Sequence, residues 1–353
     1  MIGSNQTSLD VVSSGLLSTI QDKGRFGLRH LGIPWSGALC PAWQIIANAL
    51  VGNSPNSPVI ECFEGGLHLQ AHEQSVQLAI VGSDSAAIKL ISGTTEYRYL
   101  PNRTLTLGPG DSLVLVSTGS SRHALVAVAG IDIAPHLGST ATYHKASLGG
   151  LDGSALKAGE QIPLQRASAE KATPNKERQC HLPTELRFEA NELRAIAGPQ
   201  FEHFSDAGTK AFLSSSYTLG AEADRMGVRL SGPTITHRDS AARDIISDAI
   251  TPGSIQVPGT GQPIVLLNDA HTAGGYPKIA TVISNDLPLL GIQRAGAVFQ
   301  FRLVTMDEAI LIRQKLQNLI ENCTSAFTPC IRDELDTRTL LSCNLIDGVT
   351  DGF

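Results

Sequence analysis

The run NDAHTAGGYPKIATV, residues 268–282, sets an acid, an imidazole, a hydroxyl, paired glycines, a phenol and an amine directly after the apolar run PIVLL. Such a set can do acyl or phosphoryl chemistry. Asp269 or His271 can act as a base, Lys278 can hold a carboxylate or phosphoryl oxygen, and the Gly274 and Gly275 amides can face an oxyanion. The same residues also suit a plain structural role, a glycine crossing in which Asp269 caps local amides and Lys278 is solvated. Pro277 biases Tyr276 towards an extended conformation, so the loop is shaped in either case.

Other residues carry weaker chemistry. RFGLRHLGIP (25–34) and RMGVRLSGP (225–233) share an Arg, apolar, Gly, aliphatic, Arg pattern, and Asp22 and Asp224 precede them. The pairs Arg25 with Arg29 and Arg225 with Arg229 can fork onto anionic groups or close onto those two acids. Upstream of the loop, SIQVPGTGQPIVLL places Gln256 beside a Pro/Gly turn that feeds the same strand. His68 and His72 have the spacing of a helical metal site, but their surroundings alternate like a strand, which would hold them too far apart for one ion. No metal is expected. A phosphate loop, a dinucleotide fingerprint and a nucleophile elbow are all absent from the sequence.

These groups need a frame, and the chain reads as mostly β. SVQLAIVG (75–82), DSLVLVS (111–117), HALVAVAG (123–130), ELRAIAG (192–198), QPIVLL (262–267), KIATVI (278–283) and VFQFRLV (298–304) are short strand-like runs between turn formers. Two helices are expected. One begins at Pro41 and stops at Gly52, with Ile46, Ala47 and Leu50 inward; the other follows a Thr305/Glu308 capping box, with Ile312, Leu316, Leu319 and Ile320 on one face. The polar segment 166–185 reads as a linker or exposed excursion. With the Arg-bearing repeat it divides the chain into a first β lobe (9–165), a second (186–304) and a C-terminal helix and tail (305–353). Related lobes often build a site where they face each other.

Bulk composition narrows the partners. A net charge of -6 without any dense basic run argues against nucleic acid. The first residues lack a basic and an apolar signal region, and no segment approaches the roughly 20 apolar residues of a membrane span. Six scattered cysteines without a CxxC pair fit reduced thiols and a cytoplasmic location.

Four long stretches, residues 15–53, 224–233, 252–283 and 148–164, carry a family pattern. Through them the chain resembles the biotin-dependent carboxyltransferase family, also called the allophanate hydrolase subunit 2 family, which includes the C-type subunit of 5-oxoprolinase. The resemblance runs from about residue 15 to 304 and implies tandem cyclophilin-like β-barrels. It implies a partner resembling allophanate hydrolase subunit 1 (the B type in 5-oxoprolinase) and a third component (the A type), which together open 5-oxoproline to glutamate at the expense of ATP. In fused relatives the fold moves a carboxyl group from carboxybiotin to urea, and some members antagonise a sporulation-kinase inhibitor. Biotin-dependent transfer and non-catalytic regulation of a subunit-1-like partner are thus the alternatives to hydrolysis. By motif the implied catalytic positions are Asp269, Lys278 and His271, and the implied substrate or nucleotide positions are Arg25, Ser36, Gly37, Arg225, Gln256, Thr272, Gly274, Gly275 and Tyr276. The sequence departs from the family pattern at Cys40, where an Asp is frequent, at His271 and Ala273, and at Ser154, where an Arg is usual. Losing an acid and a base there is compatible with a changed substrate or with lost catalysis.

Overall fold

The computed structural model describes residues 7–165 and 177–330, so the start of the chain, most of the expected excursion, the end of the tail and Cys343 lie outside the described residues. The first lobe contains β1 (Thr7–Ser14), β2 (Leu17–Gln21), α1 (Pro41–Val51), β3 (Val59–Phe63), β4 (Leu67–Ala71), β5 (Val76–Val81), β6 (Ala87–Ser92), β7 (Thr95–Tyr99), β8 (Arg103–Leu107), β9 (Ser112–Ser117), β10 (His123–Val128) and β11 (Gln161–Leu164). Then follow β12 (Arg178–Gln179), α2 (Thr184–Arg187), β13 (Glu192–Ala197), α3 (Asp206–Ser214), β14 (Ser216–Ala223), β15 (Gly227–Ser231), β16 (Asp248–Ala249) and β17 (Ser254–Gln256). The chain continues through β18 (Ile264–Leu266), β19 (Ala273–Gly274), β20 (Lys278–Val282), α4 (Leu287–Ile292), β21 (Val298–Leu303), α5 (Met306–Ser325) and β22 (Thr328–Pro329).

The protein is mostly β, and all seven predicted runs form strands. In the first lobe two sheets face each other, β11-β1-β4-β9-β6-β7 and β2-β3-β10-β5-β8-β12-β22. Leu9, Leu67, Leu69, Ile60, Leu78 and Val126 fill the space between them. The second sheet is covered on its other side too, because α1 lies on Val59, Ala79, Val81, Leu125 and Ala127. That double cover explains why β5 and β10 are buried at every position and read as unbroken apolar runs. The second lobe closes into a barrel, β13-β20-β17-β18-β15-β14-β21. Its core runs without a break into the α1 core, and Trp43 Nε1 of α1 donates to the Leu186 carbonyl at 2.7 Å. The two lobes therefore share one apolar seam.

Both expected helices form as read. α1 starts on Pro41 and ends at Gly52, whose left-handed backbone (φ 77°) lets its N–H reach the Ala49 and Asn48 carbonyls. α5 carries the full Thr305/Glu308 capping box, and Leu316, Leu319 and Ile320 pack on the core. Two expectations need correction. Within the 166–185 excursion the described residues are built into the fold: β12 pairs with β8 and β22, Glu177 Oε1 accepts from the Thr106 amide, and Leu182 is buried. Polar composition hid a short strand there, paired on both sides. The arginine repeat is likewise not a repeat of local structure, because the first copy forms a 3-10 turn at Arg29–Leu31 while the second runs into β15. His68 lies in β4, as the alternation required, and among the described residues no three His, Cys, Asp or Glu side chains gather to hold a metal. No helix among them is long and apolar enough to cross a membrane.

Candidate functional site

The loop between β18 and β20 faces two ways, and the expected site residues divide accordingly. One group lies in the seam. Asp269 accepts from Arg225 Nε at 3.0 Å and Nη2 at 3.2 Å, and Arg225 Nη1 is bonded to Glu61 of β3 across the lobes. Arg225 Nη2 also donates to the Gly37 carbonyl at 2.7 Å. Burial alone would lower the Arg225 pKa, but the two carboxylates outweigh it and hold the guanidinium firmly charged. Arg225 thus turns to Asp269 and Glu61 and leaves Asp224 to cap the Met226 and Gly227 amides.

The first lobe presents Ser36 and Gly37 to this group. The Ser36 amide donates to the Asn268 carbonyl at 3.0 Å, and its own backbone is left-handed (φ 54°), a strained state for a serine. Gly37 (φ 83°) is required, since a Cβ there would meet the Gly24 nitrogen at 2.8 Å and the Asp22 carbonyl at 2.9 Å. Behind them Arg25, only 1% exposed, donates to the carbonyls of His136 (3.0 Å), Ala141 (2.7 Å) and Ser139 (3.3 Å). Burial lowers its pKa, with Asp22 and Asp269 opposing. Arg29 bridges the lobes as well, giving Nη2 to the Ile250 and His271 carbonyls at 2.7 and 2.8 Å while its guanidinium sits over Trp35.

The second group lines a cavity of about 620 Å³ on the barrel. Gln256, Ile264 and Leu266 come from β17 and β18, Met226 and Ile250 from flanking turns, and His271, Ala273, Gly274, Gly275 and Tyr276 from the loop. His271 is exposed and Tyr276 is 42% exposed at the rim. Thr272 stands behind them and accepts the Ile250 amide on its carbonyl at 3.1 Å. Gln256 is 6% exposed, and its Nε2 has no hydrogen-bond partner among the described residues. It presses on Gly274, where a Cβ would lie 2.5 Å from that nitrogen. Lys278 is the cross-strand partner of Gln256 and is 3% exposed. Its Nζ donates to Asp248 at 2.5 Å and to the Ala249 carbonyl at 3.0 Å, and the lysine in turn lowers the Asp248 pKa. A short ribbon, β16 with β19, covers this pair.

Sequence reasoning missed Glu61 and Asp248. A lone acid inside the apolar run VIECF was the available signal for Glu61; Asp248 sits in a polar turn with no periodicity to mark it. Two of the departures are placed away from the cavity: Cys40 caps α1 and is buried, which pushes its thiol pKa up, and Ser154 Oγ donates to Asp152 at 2.5 Å. Ala273 and His271 do line the cavity.

With this arrangement in view, the family description carboxyltransferase domain, subdomain A and B, matches residues 31–303. The chain belongs to that family. It is 34% identical to the C-type subunit of 5-oxoprolinase from Escherichia coli (strain K12) over 314 residues, covering 89% of this chain and 96% of the relative. It is 32% identical to the C-type subunit of 5-oxoprolinase from Haemophilus influenzae over 308 residues, covering 87% and 94%. The fold also matches the crystal structure of the K. lactis urea amidolyase with a TM-score of 0.80 at 22% identity, over 90% of this chain. There the chain corresponds to only a fifth of the larger enzyme, 20% of its length.

Proposed function

We propose that the chain is the C-type subunit of a 5-oxoprolinase-like hydrolase in the cytoplasm, active with a B-type partner resembling allophanate hydrolase subunit 1 and an A-type third component. The two relatives of that kind, matched over nearly their whole length, support the reading. The observation that carries it is the buried, unpartnered Gln256 Nε2 in the cavity wall, a donor with no acceptor among the described residues. A buried polar group left unpaired is costly, so the site suits a ligand that brings a carbonyl or carboxylate oxygen.

The ring amide of 5-oxoproline is a poor electrophile; in this reading ATP phosphorylates its carbonyl oxygen, one water adds to the activated carbon and the C–N bond opens to an acyl phosphate, and a second water releases phosphate to leave glutamate. The cavity itself does not suit a triphosphate, because Glu222 and Asp224 stand in its wall and Glu222 already pairs with Arg229. We therefore assign ATP to another part of the assembly. In this reading Gln256 binds the ligand oxygen, Gly274 lets the loop backbone come close, and His271 and Tyr276 stand at the mouth where a proton can be exchanged. Lys278 supplies the positive charge beneath. Asp269 positions the loop through Arg225 and leaves proton transfer to His271.

The test is 5-oxoproline-dependent ATP hydrolysis by the purified chain combined with its B-type and A-type partners. Stimulated turnover that falls about a hundredfold in Gln256→Ala supports the reading. No stimulation with wild-type chain, under conditions where the Escherichia coli complex turns over, overturns it. Biotin-linked carboxyl transfer has more distant support, the urea amidolyase of Lachancea kluyveri at 27% identity.

A further inference from the structure

The Lys278 ammonium is almost wholly buried, yet its one ionic partner among the described residues is a carboxylate that is half exposed: the side-chain exposures are 4% and 50%. Asp248 reaches it from the outside, on a ribbon that pairs Asp248 with Gly274 and Ala249 with Ala273, and its carboxylate also meets Gln200 Nε2 at 3.5 Å. The chain after Asp248 is anchored, Ile250 giving its amide to the Thr272 carbonyl at 3.1 Å and accepting Arg29 Nη2 on its own carbonyl at 2.7 Å, while the chain before it is more lightly held. Ile246 is 95% exposed, and Ile245 is fixed by one backbone bond, its amide to the Gly275 carbonyl at 2.9 Å. Directly beside Lys278 in the strand register stands the unpartnered Gln256 amide, in the cavity wall. As cross-strand partners Lys278 and Gln256 send their side chains to the same face of the sheet, the ammonium occupied by a surface carboxylate and the amide by no described residue. Two donors so placed fit the two oxygens of one carboxylate.

We propose that Asp248 is a displaceable stand-in for the carboxylate of the ligand: when the ligand enters, its carboxylate takes Lys278 Nζ and Gln256 Nε2, and the half-exposed Asp248 side chain turns out to solvent. The inference rests on the proposed site but not on the reaction, and it names the ligand class as a small carboxylic acid. Asp248 thereby sets affinity, because each acid must compete with it.

Acetylation of Lys278 by an amine-reactive reagent, read by mass spectrometry on the intact chain, tests this without any turnover. In Asp248→Asn, labelling of Lys278 rises about five- to tenfold, Asp248→Glu restores the wild-type rate, and melting curves show that both variants fold. 5-Oxoproline then protects Lys278 in Asp248→Asn at lower concentration than in wild type, and the neutral amide of 5-oxoproline does not. Equal labelling of wild type and Asp248→Asn, or equal protection by acid and amide, overturns the proposal. Labelling as expected with no ATP turnover would instead count against the hydrolase reading and leave the carboxylate site standing.

Discussion

Arg25 and Arg225 open the same short sequence pattern, the first buried and the second largely so at the seam, yet the protein satisfies them by opposite means. Arg25 is held by three backbone carbonyls of one lobe, while the neighbouring acid Asp22 is engaged by Ser139, Thr140 and the Gly24 amide. Arg225 is held by two carboxylates, one from each lobe. Carbonyls bring no net charge, so the Arg25 cage can fix a bend without tying charge to charge. The Arg225 cluster does tie it, and its cost of desolvation is offset only while all three ions are present. The motif therefore supplies a guanidinium, and the neighbours decide whether it becomes a local clamp or a cross-lobe ion bridge.

The sharpest way to break this contrast is to remove each guanidinium in turn. Arg225→Met leaves Glu61 and Asp269 buried without a cation, and urea unfolding is expected to show a loss of about 3–5 kcal/mol. Adding Glu61→Gln and Asp269→Asn to that variant should recover a good part of it, because neutral amides no longer need the cation. Arg25→Met strands carbonyls instead of charges, so the expected loss is smaller, about 1–3 kcal/mol. Equal losses at the two sites, or no recovery in the triple variant, would show that the ionic and carbonyl arrangements do not differ in kind.

The same contrast explains what was legible in the sequence. Strands such as HALVAVAG and the capped helix at Thr305 are written in local residue order, and they appear in place. The loop at residues 269–278 was legible as a shaped feature because glycines and proline mark it locally. Its division into a seam face and a cavity face was not, since that depends on Glu61, Gln21 and Gly37 arriving from a different lobe. Asp248 escaped for the same reason: its role comes from a cross-ribbon meeting with Lys278, and no spacing along the chain encodes that. The arginine repeat misled in one respect, because matching letters did not bring matching local structure and only a guanidinium at the seam is shared.

A further expected effect is a pH dependence confined to the Arg225 side. His123 of β10 is buried against Phe63, and burial first, with Arg225 and Arg122 adding to it and Glu61 opposing, lowers its pKa from 6.5 to about 4. Between those values the unfolded chain binds a proton that the folded chain refuses, so stability falls as pH drops from 6.5 towards 4 and this loss levels off below. The upper limit of that loss is about 3 kcal/mol at pH 4. His123→Phe should flatten the difference between unfolding free energies at pH 7 and pH 4.5, measured by urea titration. In Arg225→Met, a lowering influence on His123 is gone and Glu61 is unpaired, so the His123 pKa rises and the same difference shrinks. Arg25→Met leaves the surroundings of His123 intact and should keep the wild-type slope. If Arg25→Met flattens the profile as much as Arg225→Met does, the two arginines share one electrostatic region and the distinction drawn between them fails.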